Sequence, residues 1–153
     1  MITYKTGNIL DATENVVLQQ VNCKGVMGSG LAKQIRNRYP WVYTEYKEYL
    51  AEGGEFLGTT QRVKIGPLQW VINLFSQDDY GRGNKVYTDY PAFEHALQSV
   101  HLFVFGNDFS VAIPYKIGCG LANGDWNVVL EIIEKIFKDY KYDVVIYKLE
   151  TEQ

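Results

Sequence analysis

The chain has only two cysteines and two histidines in 153 residues. Cys23 and Cys119 lie far apart, and neither belongs to a C-x-x-C pair. That excludes a disulfide scaffold and a zinc-ribbon type of site. With His95 and His101 the only imidazoles, a histidine-rich metal centre is also excluded. Positive charge is not in excess, the formal net charge being −3, which argues against broad electrostatic binding to nucleic acid. Lys33, Arg36 and Arg38 form a small local cluster whose helical spacing suits a solvated face. Long apolar runs are missing too: none is long enough to span a bilayer. The N-terminal MITYKTGNILDA has no apolar signal core and reads as a strand, so a cytoplasmic protein is the expectation. No repeat, low-complexity tract or linker interrupts the chain, and residues 1–153 are expected to form one domain with a sizeable core.

What is present is an alternation of apolar runs and helical patterns, the mark of an α/β protein. Strands are expected at 2–6, 16–22, 59–65, 69–75, 109–115 and 142–149, the last closing the sheet. The runs at 59–65 and 69–75 flank Gly66-Pro67 and predict a hairpin, hence a mixed sheet. Helices are expected after Gly30 up to Pro40, over 41–51 up to Gly53-Gly54, around Phe93–Phe103, and from Trp126 to Phe137. SQDDYGRGNK at 76–85 is polar and contains glycine, and reads as a loop.

Two units share one pattern of strand, glycine loop and helix, at 16–38 and 109–138, with their loops inside VNCKGVMGSGLAKQIRNRYP (21–40) and IPYKIGCGLANGDW (113–126). Glycine removes the Cβ and permits positive φ, so backbone N–H groups can approach an anion closely. A following helix adds orphan N–H donors and the positive end of its dipole. Two such loops at neighbouring strand ends make a groove for a phosphorylated ligand without basic side chains. Neither the Walker pattern nor the G-x-G-x-x-G fingerprint occurs; residues 25–30 read G-x-x-G-x-G.

Together with GNIL at 7–10 and VVIYKL at 144–149, these two loops resemble the macro domain family over nearly the whole chain. The similarity is greatest to the branch of ADP-ribose 1''-phosphate phosphatases and ADP-ribosyl-glutamate or ADP-ribosyl-DNA hydrolases. The resemblance implies a three-layer α/β/α fold with a central mixed sheet of about six strands and an ADP-ribose cleft at the strand ends. It further implies that the Ile9 backbone meets the adenine, with Asn8 where many members carry an aspartate for the adenine amine. Tyr147 would lie beside the adenine; the alternative is an ordinary strand aromatic in the core. Asn22 would stand near the distal ribose. Gly25, Val26, Met27, Gly28, Ser29, Gly30 and Leu31 would wrap that ribose and one phosphate. Ile117, Gly118, Cys119, Gly120 and Leu121 would offer backbone N–H groups to the diphosphate.

The resemblance also carries departures. Some members of that branch use a lysine after the strand matching 69–75, where this chain has Phe75-Ser76-Gln77, and an aspartate where it has Ala122. A phosphatase of the branch has a histidine at the position of Gln19. The remaining acid–base candidates are Asp125, Asp78 and Asp79, beside Lys24. Asp125 is as readily a helix cap, and the Asp78-Asp79 pair a solvated turn. The expected activity is hydrolysis of a group from the distal ribose, with ADP-ribose 1''-phosphate as first substrate and no cofactor or metal. The alternatives are a non-catalytic ADP-ribose reader and a hydrolase of ADP-ribosylated protein or nucleic acid. No membrane partner is expected, and the sequence does not fix an oligomeric state.

Overall fold

The computed structural model describes residues 1–151. Six strands form one mixed sheet: β1 (Ile2–Thr6), β2 (Val16–Asn22), β3 (Thr60–Gly66), β4 (Gln69–Gln77), β5 (Val111–Pro114) and β6 (Val144–Lys148). Four α-helices accompany it: α1 (Gly30–Arg38), α2 (Pro40–Ala51), α3 (Tyr90–Asn107) and α4 (Trp126–Phe137). A 3-10 turn at Ile9–Asp11 follows β1. The strand order is β1-β6-β5-β2-β4-β3. Every neighbouring pair is parallel except β3 and β4, the antiparallel hairpin that Gly66-Pro67 predicted.

The last strand differs from the expectation. β6 does not close the sheet but lies between β1 and β5. Its residues Val144, Val145, Ile146 and Tyr147 are all buried. A continuous apolar run of that kind suits a central parallel strand covered on both faces. The α3 helix is longer than its apolar spacing indicated. Asp89 caps its start, its carboxylate accepting from the Ala92 N–H at 2.9 Å, and Pro91 sits in the first turn where its missing N–H costs nothing.

Alternation along β2 assigns the layers. Val16 and Leu18 face α3 and α4, packing with Phe93, Leu97, Val129, Ile133 and Phe137. On the opposite face, Val21 packs with Ile35 of α1, Val42 and Tyr46 of α2, and Phe75. Val17 joins Ile9, Ala12, Ala112, Val145 and Tyr147 under the 3-10 turn. Each large side chain so buried contributes about 1.5–3 kcal/mol relative to exposure. The functional consequence is positional. The carboxyl ends of β2, β4 and β5 come together, and their loops at 23–29, 78–89 and 115–125 meet at one end of the sheet. That is where α/β sheets place ligand crevices. No helix among the described residues is long and apolar enough to cross a membrane.

Candidate ligand cleft

The first loop is held by Asn22, the last residue of β2. Its carboxamide donates to the Val26 carbonyl at 2.8 Å and accepts from the N–H groups of Lys24 at 3.0 Å and Val26 at 3.2 Å. The buried Tyr46 hydroxyl donates to the Asn22 carbonyl at 2.5 Å. Burial first of all raises the pKa of that phenol, so it stays a donor. Gly25 turns the chain at φ +82, a conformation that residues with a Cβ rarely adopt. Asn22 is thus both the staple of the loop and part of the cleft wall.

The second loop hangs on Gly118, at φ +75. A Cβ there would stand 2.9 Å from Gln20 Oε1 and 3.1 Å from Thr88 Oγ1. The Thr88 hydroxyl donates to the Gly118 carbonyl at 2.6 Å, and the Gly124 N–H donates to the same oxygen at 2.9 Å. Gln20 ties this arrangement to the sheet. Its NH2 reaches Gln77 Oε1 at 2.8 Å and Thr88 Oγ1 at 2.9 Å, and its oxygen accepts from the Ser76 hydroxyl at 2.6 Å. A register shift in the β2–β4 ladder, where Val21 pairs Phe75 but Asn22 pairs Gln77, leaves Ser76 as the extra residue. The β4–α3 loop is fastened to the second glycine loop as well. Asn123 donates to the carbonyls of Gly83 at 2.8 Å and Lys85 at 2.7 Å.

Between these loops lies a cleft of about 620 Å³, within the size range of small-molecule sites. Of the ligand residues expected from the sequence, Asn22, Val26, Gly28, Ser29, Gly30 and Leu31 line it from one side. Ile117, Gly118, Gly120 and Leu121 line it from the other. Ser29 precedes α1 without a side-chain cap, so no side chain of the cap residue occupies the first N–H groups of a helix whose first turn lines the cleft. Arg82 and Lys116 add two cations to the lining. Lys116 is held at φ +60, an uncommon conformation for a residue with a Cβ.

Other expected residues stand outside this lining. Gly25 and Met27 are buried beneath the first loop. Asn8 caps the 3-10 turn, its oxygen accepting from the Leu10 N–H at 2.9 Å, and Ile9 is buried under that turn. Tyr147 is buried in the same cluster, and its hydroxyl donates to the Glu14 carboxylate at 2.5 Å. Cys119 turns its thiol toward the Ile117 carbonyl, 3.4 Å away. Burial, and then the Asp125 carboxylate, push that thiol's pKa up to about 11, the opposite of an activated nucleophile. Burial also raises the Cys23 thiol.

The three candidate carboxylates are engaged locally. Asp125 caps α4, accepting from the Asn127 N–H at 2.9 Å, while its own N–H donates to the Tyr90 hydroxyl at 2.9 Å. Asp78 faces Lys24 at 3.5 Å, both groups being well exposed. Asp79 accepts from the Tyr80 N–H at 2.8 Å. Gln77 lines the cleft with its NH2 on the Asp79 carbonyl at 2.8 Å. Among the described residues no three His, Cys, Asp or Glu side chains gather as a metal site. The lining also holds residues that the sequence did not single out as ligand contacts, notably Gln19, Gln20, Tyr80, Arg82 and Tyr115. Their strands and loops were visible, but which side chains face the cleft depends on the β4 bulge and on long-range pairing.

No protein-family model matches the sequence. A curated DNA ADP-ribosyl glycohydrolase of Mycobacterium tuberculosis is 31% identical over 152 residues, 96% of this chain and 42% of that protein. The chain therefore spans less than half the length of this relative. An ADP-ribose 1''-phosphate phosphatase of Aspergillus clavatus is 25% identical over 116 residues, 54% of this chain and 58% of that protein. Among solved structures, the macrodomain of Mycobacterium tuberculosis DarG superposes with a TM-score of 0.84 at 30% identity, covering 96% of this chain and 97% of that one. With that agreement in sequence over both chains, and with the same sheet carrying both glycine loops, this chain belongs to the macrodomain family.

Proposed function

We propose that the cleft binds ADP-ribose derivatives and hydrolyses a group from the distal ribose, ADP-ribose 1''-phosphate being the first candidate substrate. The observation that carries the reading is the pairing of an uncapped helix N-terminus at Ser29–Gly30 with the Gly118–Gly120 loop across one cleft. Backbone N–H groups of these two segments would suit a diphosphate in an acidic protein, Gly118, Gly120 and Leu121 being the donors of the second loop because the Cys119 N–H is donated to the Lys116 carbonyl at 2.9 Å. Arg82 and Lys116 supply compensating charge at the lining. The relatives named as a DNA ADP-ribosyl glycohydrolase and an ADP-ribose 1''-phosphate phosphatase support a reaction at the same carbon of the distal ribose.

The chemistry required is the addition of water: ADP-ribose 1''-phosphate and water give ADP-ribose and inorganic phosphate. Fixing the diphosphate and ribose orients the anomeric centre toward the Asn22–Gln77 side of the cleft. Cys119 is a protonated, hydrogen-bonded thiol and Asp125 a capping carboxylate, so neither is free as nucleophile or strong base. The substrate's own phosphate is the base best placed to take the proton of the attacking water. For an ADP-ribosyl group on protein or nucleic acid no such phosphate is present, and Asp78 or Asp79 would have to take that role.

A second reading, a non-catalytic reader of ADP-ribose, is favoured by one specific observation: Gln77, which the resemblance sets where some members carry a lysine, has both ends of its amide hydrogen-bonded. A substrate panel separates the readings. Phosphate release from ADP-ribose 1''-phosphate without added metal supports the phosphatase. Release only from ADP-ribosylated glutamate or nucleic acid supports the de-ADP-ribosylating hydrolase. Binding without turnover on any of these leaves the reader.

A further inference from the structure

A chain of side-chain amides crosses three strands and ends at the cleft. It begins on α2, where the Glu45 carbonyl accepts from Gln61 Nε2 at 3.0 Å. Gln61 Oε1 then accepts from Asn73 Nδ2 at 3.0 Å, and Asn73 Oδ1 accepts from Gln19 Nε2 at 2.7 Å. A backbone carbonyl can only accept, so it fixes which end of Gln61 faces it, and each following amide is fixed in turn. Reversing Gln19 alone would set two carbonyl oxygens against each other. Reversing all three would set the Gln61 oxygen against the Glu45 carbonyl. The polarity of the ladder therefore runs one way, and its last oxygen, Gln19 Oε1, is left over.

That oxygen is buried and has no hydrogen-bond partner. Gln19 is only 2% exposed and Asn73 is fully buried, yet Gln19 belongs to the cleft wall. Apolar neighbours occupy the same face of these strands, Val21 beside Gln19 and Val71 and Phe75 beside Asn73. Apolar residues at 19 and 73 would leave no orphan, because an unpaired buried acceptor is destabilising. Of all buried side-chain polar atoms among the described residues, this one alone is unsatisfied.

We propose that Gln19 is a ligand-reading residue whose carboxamide oxygen accepts a hydrogen bond from a neutral donor of the bound nucleotide. This rests on the reading of the cleft as an ADP-ribose site. The ladder excludes the opposite polarity, and a carbonyl oxygen repels phosphate. The partner is thus a hydroxyl of the distal ribose or the exocyclic amine of the base, not the diphosphate. Asn73 and Gln61 are positioning residues that keep the acceptor pointed one way.

The test uses Gln19→Met, which keeps chain length and removes the acceptor, against three ligands: ADP-ribose, its hypoxanthine counterpart lacking the amine, and ADP lacking the distal ribose. The expected result is an affinity for ADP-ribose weakened about tenfold in the variant. That difference should vanish with the one analogue that lacks the donor, naming the amine or the distal ribose as its source. The thermal midpoint without ligand should stay near wild type, because the substitution only moves the orphan to Asn73 Oδ1. Equal affinities of variant and wild type would overturn the proposal, as would a loss undiminished with both analogues, which signals general loosening of the cleft. Failure of the wild-type protein to bind ADP-ribose would instead overturn the functional reading itself.

Discussion

Replacing Gly28 with valine separates ligand binding from folding, because of where that glycine lies. Gly28 is exposed in the cleft wall, and its φ is outside the left-handed region that the neighbouring Gly25 and Gly30 adopt. A Cβ built on it meets only Val26 Cγ1, at 3.7 Å, an ordinary contact. The substitution should therefore change stability by no more than about 0.5 kcal/mol. The added side chain projects where the ligand must approach the backbone. Loss of one charge-assisted hydrogen bond to a phosphate costs about 1.5–3 kcal/mol, equal to roughly ten- to 150-fold in affinity. Titration calorimetry with ADP-ribose reads the second quantity and a thermal melt reads the first. Gly28→Ala should fall between wild type and valine. An unchanged melt together with an unchanged affinity for Gly28→Val would refute the assignment of the first loop as a ligand wall.

Gly118→Ala should behave differently, lowering stability by about 1–3 kcal/mol in a denaturant titration and weakening ADP-ribose as well. The positive φ and the approach to Gln20 and Thr88 both oppose a side chain there. Asp125→Ala removes the α4 cap and should cost about 1 kcal/mol of stability while leaving ADP-ribose affinity at wild type; a large loss of affinity with an intact melt would place Asp125 in the cleft chemistry. Cys119, its thiol raised to about 11, should alkylate with iodoacetamide far more slowly at neutral pH than a free cysteine peptide. Fast alkylation would contradict the packing of the second loop. Burial pushes the Tyr140 phenol up to about 12, and Tyr46 and Tyr147 are likewise raised, burial being the main cause in each. Their contribution to stability is complete below pH 10, where the unfolded phenols begin to ionise, and is lost as pH rises through the folded values. Stability should thus fall above about pH 10, and Tyr140→Phe should make that fall shallower; a flat profile to pH 12 would contradict the assignment.

Much of the fold was legible because its signals are local. The β-branched run at 16–22, the Gly66-Pro67 turn and the apolar spacing from Trp126 to Phe137 each specify an element without reference to the rest. The place of β6 between β1 and β5 was not, since pairing order is set by the whole sheet and not by the sequence of one strand. The same holds at the cleft. The glycine loops themselves could be read from sequence, but not which of their glycines take positive φ: Gly25, Gly30 and Gly118 do, and Gly28 and Gly120 do not. The Gln61–Asn73–Gln19 ladder joins residues 12 and 54 positions apart, and no local pattern marks it. Asn22 shows the limit from the other side. Its place at the end of β2 could be read directly, whereas its role in stapling the loop through Val26 and Tyr46 needed three dimensions. Tyr147 was open between base contact and core; it is packed with Ile9 and Val145 and bonded to Glu14.

The most direct measurement is a calorimetric titration of the wild-type protein with ADP-ribose and, in parallel, with ATP. A cleft built from the α1 N-terminus and the Gly118 loop should give saturable one-to-one heat with ADP-ribose in the micromolar range, and much weaker binding of ATP. No heat with ADP-ribose, or equal affinity for ATP, would contradict it.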